Sequence, residues 1–186
     1  MRERDGFSIL EVLVALSVLT VALTGLAQCY GVSTRANANA RHTTYASLLA
    51  QQKMEQLRGL TWGFDALGLP LTDSTTNITV TPESSSGGTG LTPSPSGALG
   101  ANTEGYCDLV DRNGASLGGC TNANAAASYV RRWSVEPLPA NPGNTIVIQV
   151  LVAPAASRGT ADTPAGQVAR RPNEARLVSV KTRKAS

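Results

Sequence analysis

Aromatic residues are scarce in this 186-residue chain: two Trp, two Phe and four Tyr. Such a composition does not build a large aromatic enzyme core. Gly, Ser, Thr, Asn and Ala are abundant instead, the makings of a small-residue, loop-rich head. Histidine occurs once, as His42, so a catalytic triad or multi-histidine metal centre would depend on one side chain. His42 reads as a solvated residue on a polar helix. The net charge of +3 does not by itself imply nucleic-acid binding. No phosphate-cradling loop and no nucleophile–base pair is present, and no second apolar run approaches 18 residues. The expectation is a non-enzyme without cofactor or metal, in which one globular domain follows a single anchor.

What is present in quantity is apolar character at the start. Phe7 to Ala27 is one apolar run in which Glu11 is the sole charge. Gly6 precedes it, after the charged leader Met1-Arg2-Glu3-Arg4-Asp5. As a helix the run is roughly 30 Å long, about one hydrocarbon core. No proline interrupts it, and Ala15, Ser17, Ala22 and Gly25 suit close packing between apolar helices. A carboxylate there is unfavourable by roughly 2–4 kcal/mol at a bilayer centre and less near an edge. Three simpler readings compete. A cleaved signal peptide ending at Gly25-Leu26-Ala27 has too long an apolar region and leaves Glu11 inside it. A lipoprotein signal at Cys29 meets Gln28 where a small residue belongs. A plain signal anchor explains the length but not Glu11.

The stretch Gly6-Phe7-Ser8-Ile9-Leu10-Glu11-Val12-Leu13-Val14-Ala15-Leu16 resembles the prepilin motif of type IV pilins and type II secretion pseudopilins. The resemblance implies that a membrane prepilin peptidase cuts between Gly6 and Phe7 and methylates the new amine of Phe7. Glu11 takes the position of the family's acidic residue. Ser8 stands where threonine is commoner, and Glu3 and Asp5 dilute the leader's basic bias. Phe7 and Glu11 are four apart and so share a helix face. A carboxylate one turn from a free amine also suits the positive end of the helix dipole. In a filament core both charges would be desolvated, and a register that left one unpartnered would cost about 3–5 kcal/mol.

From Gln28 the chain turns polar without a stop signal. Ala46, Leu49, Ala50, Met54, Leu57 and Leu60 fall within about 140° of helical arc. Gln51, Glu55 and Arg58 lie opposite, and Lys53 is expected to snorkel from the apolar side. The helix should end between Gly59 and Gly63, with Gly59 as a C-cap. The stretch 46–58 also resembles the helix of PilV-like minor pilins and of the pseudopilin I group. Major pilins usually carry a proline at the apolar-to-polar transition, and this chain has none there, which favours a minor subunit.

The expected order is leader 1–6, transmembrane and filament-core helix 7–27, amphipathic continuation 28–60, and a β-rich head 61–186. Candidate strands are 77–81, 128–136, 145–153 and 175–182, with 139–144 as a turn. Residues 82–105 read as a flexible Ser/Gly/Thr/Pro-rich insertion and 153–171 as a second long loop. The fold class is α+β: a long N-terminal helical spine packed on a small antiparallel sheet, as in pilins. Cys107 and Cys120 flank Asp111-Arg112-Asn113-Gly114, which carries an Asn-Gly turn signal. In an oxidising compartment the two cysteines are expected to form a disulfide worth about 3 kcal/mol. They lack further zinc ligands, and Asp108, Asp111 and Asn113 do not have EF-hand spacing.

These features converge on a minor pilin that a prepilin peptidase processes and that joins, or initiates, a type IV pilus. The alternatives are a pseudopilin of the I-like group and an anchored monomeric module binding a ligand or DNA. Residues 158–184 hold seven basic and two acidic side chains. Without a basic–aromatic stripe they read as a solvated tail before nucleic-acid contact. The expected partners are other pilins or pseudopilins, the peptidase and the bacterial inner membrane. The chain would span that membrane once with its head in the periplasm, then pass to a surface pilus or a periplasmic pseudopilus.

Overall fold

The computed structural model describes residues 8–78, 87–120, 124–155 and 173–183. Helix α1 runs from Ile9 to Gly59, 51 residues. Seven strands follow: β1 (Trp62–Phe64), β2 (Pro70–Thr72), β3 (Cys107–Val110), β4 (Ser116–Gly119), β5 (Tyr129–Pro137), β6 (Thr145–Pro154) and β7 (Ala175–Thr182). β1 and β2 form a separate hairpin, and the other five make an antiparallel sheet in the order β4-β3-β5-β6-β7. The architecture is α+β, one long N-terminal helix and a small antiparallel sheet. The chain divides into two compact units, Met1–Arg41 and His42–Ser186.

In the second unit the helical period does what its apolar positions dictate. Ala46, Leu49, Ala50, Met54, Leu57 and Leu60 are buried, while Gln51, Glu55 and Arg58 are exposed. The buried arc meets Trp133 and Val135 of β5, Ile146, Ile148, Val150 and Val152 of β6, and Ala175 of β7 in one core. Trp133 lies opposite Val150, and Val135 opposite Ile148. Burying a Leu or Ile side chain of this kind contributes about 1.5–3 kcal/mol.

The helix ends at Gly59, within the expected range, but its cap differs from expectation. Gly59 is its last helical residue, without the left-handed backbone of a glycine cap. Lys181 of β7 takes that role, its Nζ donating to the carbonyls of Arg58 and Leu60, where a cation also suits the dipole. Arg183 then stacks 3.7 Å over the Trp62 ring and donates to the Gly63 and Leu71 carbonyls, tying the β1–β2 hairpin to the end of the sheet.

Of the expected strands, three formed within a residue or two: β5, β6 and β7. Of the fourth, 77–81, Asn77 makes an isolated bridge and Ile78 lies in a turn; residues 79–81 lie outside the described residues. Residues 87–105 contain no helix or strand, yet they are not a loose flap. Leu91, Ala98 and Leu99 are buried and the Tyr106 hydroxyl donates to the Thr92 and Pro93 carbonyls, so small residues here pack a surface that regular elements leave uncovered.

Cys107 and Cys120 are joined in a disulfide, with Cα atoms 5.5 Å apart. The β3–β4 turn between them is held by Asp111, whose Oδ1 accepts from the Asn113 and Ala115 amides at 2.8 and 2.9 Å. Gly114 adopts φ +88° there, a conformation that costs a Cβ-bearing residue about 1–2 kcal/mol. Replacing both cysteines by serine is expected to lower unfolding free energy by about 3 kcal/mol. Urea melts of the oxidised and substituted chains measure that difference, and equal midpoints would exclude a stabilising role.

Candidate assembly site

Helix α1 begins at Ile9, inside the apolar run. The amides of Glu11 and Val12 donate to the Ser8 carbonyl at 3.0 and 3.2 Å, so Glu11 sits in the first turn, with its carboxylate at the positive end of the helix. Gly6 and Phe7 lie outside the described residues. Three hydroxyls within the run are satisfied by the helix itself: those of Ser17 and Thr24 donate to the carbonyls of Val14 and Thr20, each at 2.8 Å, and Thr20 donates to the Leu16 carbonyl. An apolar environment therefore imposes no unmet hydrogen bond on them.

Every residue from Ser8 to Thr44 is exposed. Ile9 is 81% exposed and Leu26 67%. Apolar surface on this scale in one helix has to be covered by lipid or by other protein. The helix is also long and apolar enough to cross a membrane.

Residues 1–27 match the prokaryotic N-terminal methylation motif. The match covers the leader, the predicted cleavage point and the apolar run, and it supports kinship with the type IV pilin and pseudopilin superfamily. A membrane anchor and a structural role in a pilus or pseudopilus are the coarse reading that this motif carries. No curated protein and no solved structure matches the chain, so the head must be read from its own chemistry.

Sequence reasoning missed a buried ionic site in the head. Lys53 does not snorkel: it is 2% exposed, with Nζ 3.8 Å from the Trp133 ring centroid and 3.6 Å from Asp108 Oδ2. Arg131 of β5 grips the same carboxylate with two hydrogen bonds, Nε to Oδ1 at 2.8 Å and Nη2 to Oδ2 at 2.7 Å. Its Nη1 donates to Gln52 of the helix. Two buried cations thus share one carboxylate between helix, β3 and β5. A signal for this existed in the sequence. Tyr129, Arg131, Trp133 and Val135 alternate, which puts Arg131 on the core face, and Lys53 falls inside the apolar arc.

Burial is the main influence on Lys53, lowering its pKa from 10.5 to about 8; Asp108 opposes that shift and Arg131 adds to it. Below about pH 8 the ammonium is protonated in folded and unfolded chains alike, and the fold bears its desolvation. Between about 8 and 10.5 the folded chain has lost a proton that the unfolded chain keeps, so unfolding takes up a proton and stability rises with pH. The rise is expected to approach about 3 kcal/mol at most. It should show as an increasing urea midpoint from pH 8 to 10, and Lys53→Met should flatten it. A midpoint that fell over this interval in the native chain and in Lys53→Met alike would dismiss Lys53 as its source.

His42 is exposed, as expected, but also makes a contact that sequence could not anticipate: Nδ1 lies 2.9 Å from the Tyr129 hydroxyl. Cys29 is a free, exposed thiol on the helix.

Proposed function

We propose that this chain is a minor pilin, cut between Gly6 and Phe7 by a prepilin peptidase and N-methylated on Phe7. It is held in the inner membrane by residues 7–27 with its head in the periplasm, then assembled into, or at the start of, a type IV pilus. The observation that carries the reading is the methylation motif opening a helix whose apolar part is wholly exposed and whose first turn contains Glu11. In the assembled filament Glu11 meets the Phe7 amine of a neighbouring subunit. Once both groups leave water, only a register that joins them avoids an unpaired buried charge. The lack of a proline in the middle of the helix supports a minor subunit over a major one. Polymerisation by helix packing needs no catalytic group, cofactor or metal.

Mass spectrometry of the mature N-terminus, in cells with and without the peptidase, tests this. The expected result is methylated Phe7 only when the peptidase is present. A mature start at Gln28 would overturn it. Recovery in sheared surface fibres separates a pilus subunit from a pseudopilin, which stays in the periplasm.

A further inference from the structure

Asn113 is the one asparagine of this chain that a glycine follows. The carbonyl carbon of an asparagine side chain is an electrophile within reach of the next residue's backbone nitrogen, and a glycine, having no Cβ, leaves that nitrogen unshielded. The pair sits at the tip of the β3–β4 hairpin, in the loop Arg112-Asn113-Gly114, where Asn113 is exposed to water. β4 is a four-residue strand at the edge of the sheet, so this tip belongs to the part of the head that opens locally at least cost. The Cys107–Cys120 disulfide at the base of the hairpin confines such opening to the loop.

While the turn is closed, one residue engages both reacting groups. The Gly114 amide donates to the Asp111 carbonyl at 3.3 Å, which occupies the nitrogen that would attack. The Asp111 carboxylate holds the rest of the loop. Its Oδ1 accepts from the Asn113 and Ala115 amides, and its Oδ2 accepts from Asn113 Nδ2 at 3.4 Å. Hydrogen bonds to a carboxylate are stronger than those between neutral groups, so Asp111 is the main restraint on opening.

We propose that Asn113 is a site of spontaneous deamidation in the folded head and that Asp111 is the brake that sets its rate. When the tip opens, the Gly114 nitrogen gives its proton to solvent base and attacks Asn113 Cγ. A C–N bond forms, the Cγ–Nδ2 bond breaks, and ammonia leaves with a proton taken from solvent, closing a five-membered succinimide. Water then adds to either ring carbonyl, and the ring opens to aspartate or isoaspartate. Both products alter the turn. Aspartate replaces the Nδ2 donor beside Asp111 Oδ2 with a second carboxylate, like charge on like. Isoaspartate routes the backbone through its side-chain carbon, adding one atom to a loop closed by the Asp111 amide on the Ala115 carbonyl at 3.0 Å. Gly114 also lies against the helix, with Tyr45 Oη and Leu49 Cδ2 at 3.4 and 3.6 Å from where a Cβ would stand, so a displaced turn loosens its seat on α1.

The test incubates the full-length native chain, Asp111→Ala and Asp111→Asn, each folded, at mildly alkaline pH in water enriched in heavy oxygen. Peptide mapping scores labelled aspartate and isoaspartate at position 113, and the reduced chain in urea gives the unrestrained rate. Labelled acid is expected at 113 ahead of every other asparagine, and more slowly in the folded native chain than in urea. Asp111→Ala should raise the folded rate about tenfold, the effect of about 1.4 kcal/mol. Asp111→Asn keeps an acceptor oxygen and should stay near the native rate. An intact disulfide and an unchanged melting midpoint verify folding of each variant, and the ratio of folded to urea rates tests the brake without any substitution. No labelled acid at 113 in the folded native chain, or earlier conversion of another asparagine, overturns the site. Equal rates in the folded chain and in urea, or in folded Asp111→Ala and the native chain, overturn the brake.

Discussion

Asp108→Ala is expected to cost the head about 3–5 kcal/mol of unfolding free energy, the effect of removing one partner from a buried charge cluster. Among the described residues, Asp108 is the one carboxylate shared by Lys53 and Arg131, which are 2% and 5% exposed. Its loss leaves two cations facing each other in the core without an anion. Because natural domains are stable by only about 5–15 kcal/mol, this one substitution removes a large part of the total. Lys53→Met is the informative contrast. It takes away the surplus cation, keeps the two-bond Asp108–Arg131 pair, and offers Trp133 an apolar neighbour of similar length. It should be neutral or stabilising at pH 7. Urea melts of the two variants compare them directly. Equal losses would mean that packing, and not charge balance, governs the site.

Glu11→Ala is expected to leave membrane insertion intact and to lower incorporation into filaments by roughly 10²- to 10⁴-fold. That range corresponds to the 3–5 kcal/mol of a charge left without its partner. Insertion is spared because the apolar run does not depend on Glu11, and removing a carboxylate makes the run more apolar. Incorporation suffers because the Phe7 amine proposed for the neighbouring subunit would enter the core unpaired. Glu11→Gln should fall between the two, since an amide oxygen still accepts a hydrogen bond but carries no charge. Fractionating membranes and sheared fibres from the same cells reads both effects. Equal recovery of Glu11→Ala and the native chain in fibres would leave the proposed role of Glu11 without support.

Much of the fold was legible because it rests on periodicity. The apolar run and the arc from Ala46 to Leu60 follow the 3.6-residue period, and the helix is continuous through both. The β-branched run Thr145–Val152 is the buried interior strand β6, and Asn113-Gly114 makes the turn that brings Cys107 to Cys120. The hairpin Trp62–Thr72 was not legible. Its strands are three residues each, too short for alternation to register, and a tertiary partner, Arg183 stacked on Trp62, holds it in place. The packed turns of 87–105 were hidden for a similar reason: Ser, Gly and Pro fill crevices as readily as they form loops, and composition does not distinguish the two.

By itself, the sequence determined the anchor: Gly6, Phe7 and Glu11 in fixed spacing before an apolar run are local chemistry, and local chemistry needs no partner to be recognised. It also determined which helix face meets the sheet, since a 100° step per residue places each side chain without reference to anything distant. Only the tertiary structure decided that Lys53, Asp108 and Arg131 share one buried site. Those residues are 55 and 23 positions apart along the chain, and pairing over such distances depends on strand order and helix rotation together. The same holds for Lys181 capping the helix. Electrostatic energy depends on separation in space and on burial, and chain position specifies neither.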